Sequence, residues 1–212
     1  MGSSTMPNCS RSFTIACALV VTFLSATSVV AESVDRPSVK VRVDDYALVA
    51  VDLLARAQDE VKQLYAAIGV DTTWLETRRL SNPDDVSHTE DAHAAEVTVI
   101  VLGSSMTTRM APPEDAVGMA ARTPTDNGRI AYVFYDRLQI DPLQSDASSV
   151  AALAFVMAHE IGHLLLPYGS HSDTGIMRGR WNRTTFRRLE VQRLRFTPLQ
   201  GRQIRHLLDF AW

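Results

Sequence analysis

The chain has almost no cysteine: 2 in 212 residues, Cys9 and Cys17. Both fall in residues 1–31, a stretch that does not read as part of a fold. Charge is missing there too, with Arg11 the single charged residue. An apolar run extends from Phe13 to Leu24, and small residues then end in Val29-Val30-Ala31 before Glu32. A weakly positive start, a short apolar core and a small residue at the cut make the order of an export signal. The apolar core is shorter than the roughly 20 residues a membrane span needs. An uncleaved anchor is the alternative, since Ser12 to Ala31 carries no charge. Thr14-Ile15-Ala16-Cys17 makes a poor lipoprotein site, because its Cys precedes most of the apolar core instead of following it. Removal of residues 1–31 leaves no thiol, no disulfide and no cysteine metal ligand. Export permits disulfides without requiring them. No pro-segment carries a Cys able to mask a metal.

Repeats, low-complexity tracts and interdomain linkers are also absent, so residues 32–212 read as one domain with a real core. No basic stripe is interleaved with aromatics, which leaves no signal for nucleic acid. Charge is uneven instead of lacking. From Glu32 to Met177 there are 11 basic and 22 acidic residues, whereas from Arg178 to Trp212 there are 9 Arg against Glu190 and Asp209. A basic tail packed over an acidic body accounts for this; a surface that attracts anions is the sharper reading.

Periodicity supplies the elements. Val39, Val41 and Val43 alternate with Lys40 and Arg42, as a half-buried strand does. Asp44 or Asp45 is placed to cap a helix over Tyr46 to Ile68, where Leu48, Asp52/Leu53, Ala57, Val61, Leu64 and Ile68 keep mostly helical spacing, and Gly69 ends it. Val70 to Glu76 reads as a second strand, and Ser81 to His93 as a polar loop. Glu96 to Leu102 is a β-branched run of the kind found in a buried central strand. A short strand over Val117 to Ala121, a tight turn at Asp126-Asn127-Gly128 and a strand over Ile130 to Tyr135 follow. The segment Asp146 to Leu166 is apolar nearly all round, as a centrally buried helix is. Pro167 holds Leu166 extended and stops it. Thr197-Pro198-Leu199-Gln200 starts a last helix, with Thr as cap, Pro at the first position and Gln closing a capping box. The expected fold is α/β, with a mixed sheet.

What the sequence does have is His159-Glu160-Ile161-Gly162-His163 on the buried helix, then His171, then Gly175-Ile176-Met177. Imidazoles four residues apart lie on one helix face. They can reach a single zinc ion, with the intervening Glu as general base. Burying these groups without partners costs several kcal/mol each. A hydrogen-bonded Glu–His network is the plainer alternative. A catalytic zinc needs a third protein ligand from outside the helix. His171 is the favoured candidate, because Gly169 can make the sharp reversal that leads to it. Asp173 and Glu190 stay open as alternatives.

These residues resemble the pattern of the metzincin clan of zinc metallopeptidases, nearest to matrixin-like catalytic cores: HExxHxxGxxH followed by a Met-turn. Here the last His comes two residues late, and Leu166 stands where the family has its turning Gly; reversal at Gly169 reconciles the two. The resemblance implies a mostly parallel five-stranded sheet with one antiparallel edge strand, then the zinc helix, then a C-terminal helix. It places Val117, Gly118, Met119 and Ala120 on the edge strand that would pair with an extended peptide. Met177 would be the apolar floor beneath the metal, not a ligand. It implies one catalytic Zn²⁺ and Glu160 as the base.

The function expected is thus an exported zinc metalloendopeptidase, secreted or periplasmic. It would be monomeric, act on peptide or protein, and have no nucleic-acid partner and no membrane span after cleavage of the leader. A zinc hydrolase of a cell-wall amide or other non-protein substrate is the second reading. A non-catalytic zinc-binding protein of the same fold is the third, against which Glu160 argues, since a binder needs no base. Tyr168 or Arg178 for oxyanion help, Trp181 for a pocket, and His88 and His93 with Glu90 and Asp91 for a second metal are weaker candidates, each more simply structural or solvated. His206 reads as surface.

Overall fold

The computed structural model describes residues 1–2, 36–80, 96–123, 126–138, 146–179 and 194–210. The chain divides between Val34 and Asp35 into two units, and every secondary-structure element described belongs to the second. Residues 3–31 of the expected leader, the polar loop expected over Ser81–His93, Trp181 and Glu190 lie outside the described residues.

Among the described residues six strands form one sheet: β1 (Ser38–Asp45), β2 (Asp71–Trp74), β3 (Arg78–Arg79), β4 (Glu96–Leu102), β5 (Gly118–Thr123) and β6 (Asp126–Phe134). Their order is β2-β1-β4-β6-β5, with β3 also beside β1. Every pairing is parallel except β5 with β6, so β5 is an antiparallel edge strand. Among the described residues there are four helices, α1 (Val51–Ala66), α2 (Ser104–Met110), α3 (Asp146–Leu165) and α4 (Pro198–Phe210), and a 3₁₀ turn spans Tyr135–Leu138.

Register explains the core. Val41 pairs with Val97, Val43 with Val99, Val99 with Ala131 and Val101 with Val133, so these buried side chains share one face. Helices α1 and α3 pack on each other and on the sheet. β4 therefore alternates: Thr98 and Ile100 are only half-buried, and the strand is not covered equally on both faces as its β-branched run suggested. On the face opposite the valines, Arg42 donates from Nε to Glu96 at 2.9 Å. Helix α3 has the length and composition of a membrane span, yet 78% of that apolar window is buried within the protein.

Several boundaries shift by one or two residues, with the first helix ending at Ala66, β2 spanning Asp71–Trp74 and β5 spanning Gly118–Thr123, and three larger differences have a physical cause. The first helix begins at Val51, not Tyr46, because Asp45 turns the chain first. Its carboxylate accepts the N–H groups of Ala47 (3.1 Å) and Val49 (3.3 Å), leaving Leu48 at φ 52° and exposed. Asp45 thus closes a turn, and no side chain caps the helix. The added strand β3 is two residues long and exists through charge: Arg78 donates from Nε to the buried Asp44 at 2.7 Å, and Arg79 lies 3.6 Å from buried Asp45. Buried carboxylates need such partners. Finally, Asp126, Asn127 and Gly128 belong to β6, since Asp126 already pairs with Thr123.

Candidate metal centre

Helix α3 presents its polar residues from within an apolar cylinder. Phe155, Met157, Ile161 and Leu164 are buried around His159 and Glu160, which are 5% and 4% exposed. The Tyr65 hydroxyl on α1 donates to the Ala158 carbonyl at 3.1 Å, so α1 anchors the helix one residue before the first His. Met177 is fully buried. A Cβ on Gly162 would fall 2.6 Å from the Met177 sulfur and 3.1 Å from the Phe196 ring. Only glycine at the fourth position of the pentapeptide lets the helix settle on that thioether.

The three histidines converge. His159 Nδ1 is 2.7 Å from the Ile176 carbonyl oxygen, which places its proton on Nδ1 and leaves Nε2 with a lone pair. His163 Nε2 lies 3.0 Å from His159 Nε2 and 3.0 Å from His171 Nε2. Burial lowers His159 to about 4, helped by His171 and opposed by the Ile176 bond. Burial likewise lowers His163 to about 3, with His159, His171 and Arg122 adding to the effect. Two neutral imidazoles with facing lone pairs repel unless a cation or proton lies between. Ligand nitrogens about 2.0–2.1 Å from a tetrahedral ion lie roughly 3.3 Å apart, so the spacing suits zinc. A set of three imidazoles with no thiolate also suits it.

The chain reaches His171 by the reversal expected. Helix α3 ends at Leu165, Pro167 and Tyr168 are exposed, and Gly169 takes φ 76°. Among the described residues, His159, His163 and His171 form the one group placed to hold a metal. Asp173 is not in it; its backbone carbonyl accepts from Arg178 Nε at 3.3 Å. Arg178 therefore braces the turn, and Tyr168 is covered by the Arg122 guanidinium at 5.9 Å. His206 is exposed beside Phe210 on α4. Glu190, Trp181, His88 and His93 lie outside the described residues.

Three residues near the site were not singled out from the sequence for the roles they have here. A Cβ on Gly118 would sit 2.6 Å from Glu160 Oε1 and 2.7 Å from its Cγ, so β5 makes room for the carboxyl by having no side chain there. Burial raises Glu160 to about 8. Arg122, also on β5, donates to the carbonyls of His163 and Leu166 at the end of α3. It supplies a cation and donors where a helix leaves its carbonyls unpaired. Gln200 on α4 donates to Ser172 next to His171. No local pattern marks the first two, because each depends on β5 meeting α3. Gln200 was legible only as a cap.

A mostly parallel mixed sheet with an antiparallel edge strand, laid over a buried helix that carries HExxH, defines a zincin-like α/β fold. The solved structure of archaemetzincin from Methanopyrus kandleri is similar: TM-score 0.54, covering 82% of this chain and 97% of that one, at 13% identity. At that identity the likeness is one of fold. No protein-family model matches the chain, and no curated protein sequence matches it.

Proposed function

We propose that the chain is an exported, monomeric zinc metalloendopeptidase in which His159, His163 and His171 hold one catalytic ion and Glu160 is the general base. One observation carries this reading: three Nε2 atoms facing one another at 3.0 Å steps, with a buried carboxyl on the same helix. The order of zinc helix, reversal, third His and buried Met177 supports a metzincin-type, matrixin-like core, with a connection two residues longer.

Zinc, when held there, supplies Lewis acidity. Glu160 takes a proton from the attacking water as its oxygen bonds to the carbonyl carbon, and returns it to the amine as the C–N bond breaks. Burial raises the carboxyl, while a cation held by the three imidazoles would favour its ionised form. These opposed effects suit a group that must take and return a proton near neutral pH. β5 is the sheet's last strand. Val117, Gly118, Met119 and Ala120 would offer an extended peptide backbone hydrogen bonds there, and Gly118 puts that edge against Glu160. The export expectation rests on the leader-like residues 1–31.

Metal analysis and peptide-library cleavage test this, with Glu160→Ala beside the wild type. The expected outcome is one zinc per chain in both and a turnover loss of about 10²-fold or more in the variant. No stoichiometric zinc in the wild type sinks the proposal. Zinc without peptide cleavage passes the site to a different carbonyl substrate.

A further inference from the structure

Helix geometry sets His159 and His163, but His171 is exposed on a turn and needs another source of order. We infer that Gln200 is a positioning residue for His171, acting through the Ser172 hydroxyl and tying the third ligand to the N-terminal cap of α4. The inference rests on the proposed zinc site.

Gln200 is 6% exposed, and its two amide atoms do different work. Oε1 accepts the Thr197 N–H at 2.9 Å while the Gln200 N–H donates to Thr197 Oγ at 3.3 Å, which completes the capping box. With the oxygen so engaged, Nε2 faces away from the box and donates to Ser172 Oγ at 3.3 Å. Ser172 Oγ in turn donates to the Thr174 carbonyl at 2.8 Å, and the Ser172 N–H to the Met177 carbonyl at 2.7 Å. The Ile176 N–H donates to the Arg195 carbonyl at 3.1 Å, just ahead of α4. The Ile176 carbonyl accepts from His159 Nδ1. One small loop therefore orients the first ligand through Ile176 and adjoins the third at Ser172, and its outer anchor is α4. Glutamate would serve the box equally well. Of the two, glutamine alone also supplies a donor.

Two variants separate capping from positioning. Gln200→Glu keeps the box acceptor and loses the donor; Ser172→Ala loses the hydroxyl and leaves the box whole. Zinc affinity of the full chain is read by competition with a chromophoric chelator, and stability by thermal unfolding of the metal-free protein. Outer partners of ligands typically contribute about 10–100-fold in metal affinity. Each variant should weaken zinc by about tenfold or more with the metal-free unfolding temperature near wild type, and the double variant should be no worse than the weaker single. In a His171→Ala background, Gln200→Glu should change nothing further. Wild-type affinity in both variants, or a Gln200→Glu effect that persists without His171, overturns the inference while the zinc site stands. A wild type that binds no zinc overturns both.

Discussion

Two ligands of the candidate centre stand on a helix and the third on a turn, and different forces hold them. His159 and His163 are placed by burial: α3 is packed by α1 and the sheet, and Met177 fits beneath Gly162. His171 has little packing and depends on hydrogen bonds that run through Ser172 to α4. Packing resists displacement in all directions. A chain of bonds holds along one line and fails at its weakest member. The helix pair should therefore be rigid in the metal-free protein, and the turn should gain most of its order on loading.

The largest expected effect breaks the helix half. His159→Ala or His163→Ala should abolish stoichiometric zinc binding, a loss greater than the roughly 10–100-fold of an outer-partner change. His171→Ala should lose less, because the rigid pair remains. The same chelator competition decides it: equal losses would erase the distinction between helix and turn, and an unchanged His171→Ala would move the third ligand elsewhere.

Gly118→Ala should come next. Its Cβ would enter the space of Glu160 Oε1, Cγ and Cδ, all within 2.8 Å, and displace the carboxyl but not the imidazoles. Turnover should fall about 10²-fold, the lower range for loss of a general base, with zinc content unchanged. Loss of zinc instead would mean that β5 supports the ligands as well as the base.

The smallest effect is on metal-free stability as pH changes. Glu160 is raised from its usual 4.5 to about 8, so its contribution is whole below 4.5 and is lost as pH rises through about 8. His159 and His163 are lowered from 6.5 to about 4 and about 3, so theirs is whole above 6.5 and is lost as pH falls through those values. Glu160→Gln removes the alkaline loss alone. Unfolding temperatures should favour the variant at pH 8, with the gap closing near pH 4.5. A constant gap across that range would show that the Glu160 carboxyl does not titrate as its burial dictates.

Much of this was written in local pattern. The alternating valines gave β1, the all-round apolar run gave α3, and Thr197 with Gln200 formed the box expected of them. What escaped depends on pairs distant in sequence. Leu48 kept helical spacing, but the Asp45 carboxylate captured the following amides and turned it outward. β3 needed Asp44 and Asp45 to be buried before Arg78 and Arg79 had reason to lie beside them. Gly118 reads as an ordinary edge-strand glycine until α3 brings Glu160 against it. The HExxH spacing announced the helix ligands because an i, i+4 pair is local. His171 was also named from the sequence, through the turn at Gly169, but the bond from Gln200 to Ser172 beside it joins segments that no spacing rule connects.

Arg122 belongs to the strand on which a peptide would lie, and it grips the carbonyls where α3 ends. That makes the sheet edge and the ligand helix one cooperative unit. If Gly118–Thr123 peels away from β6, the last turn of α3 loses its clamp in the same event. Amide hydrogens of both segments should then exchange through a shared opening, not as a frayed edge beside a stable helix. A peptide paired along β5 would close that opening, so substrate would protect helix amides that it never touches.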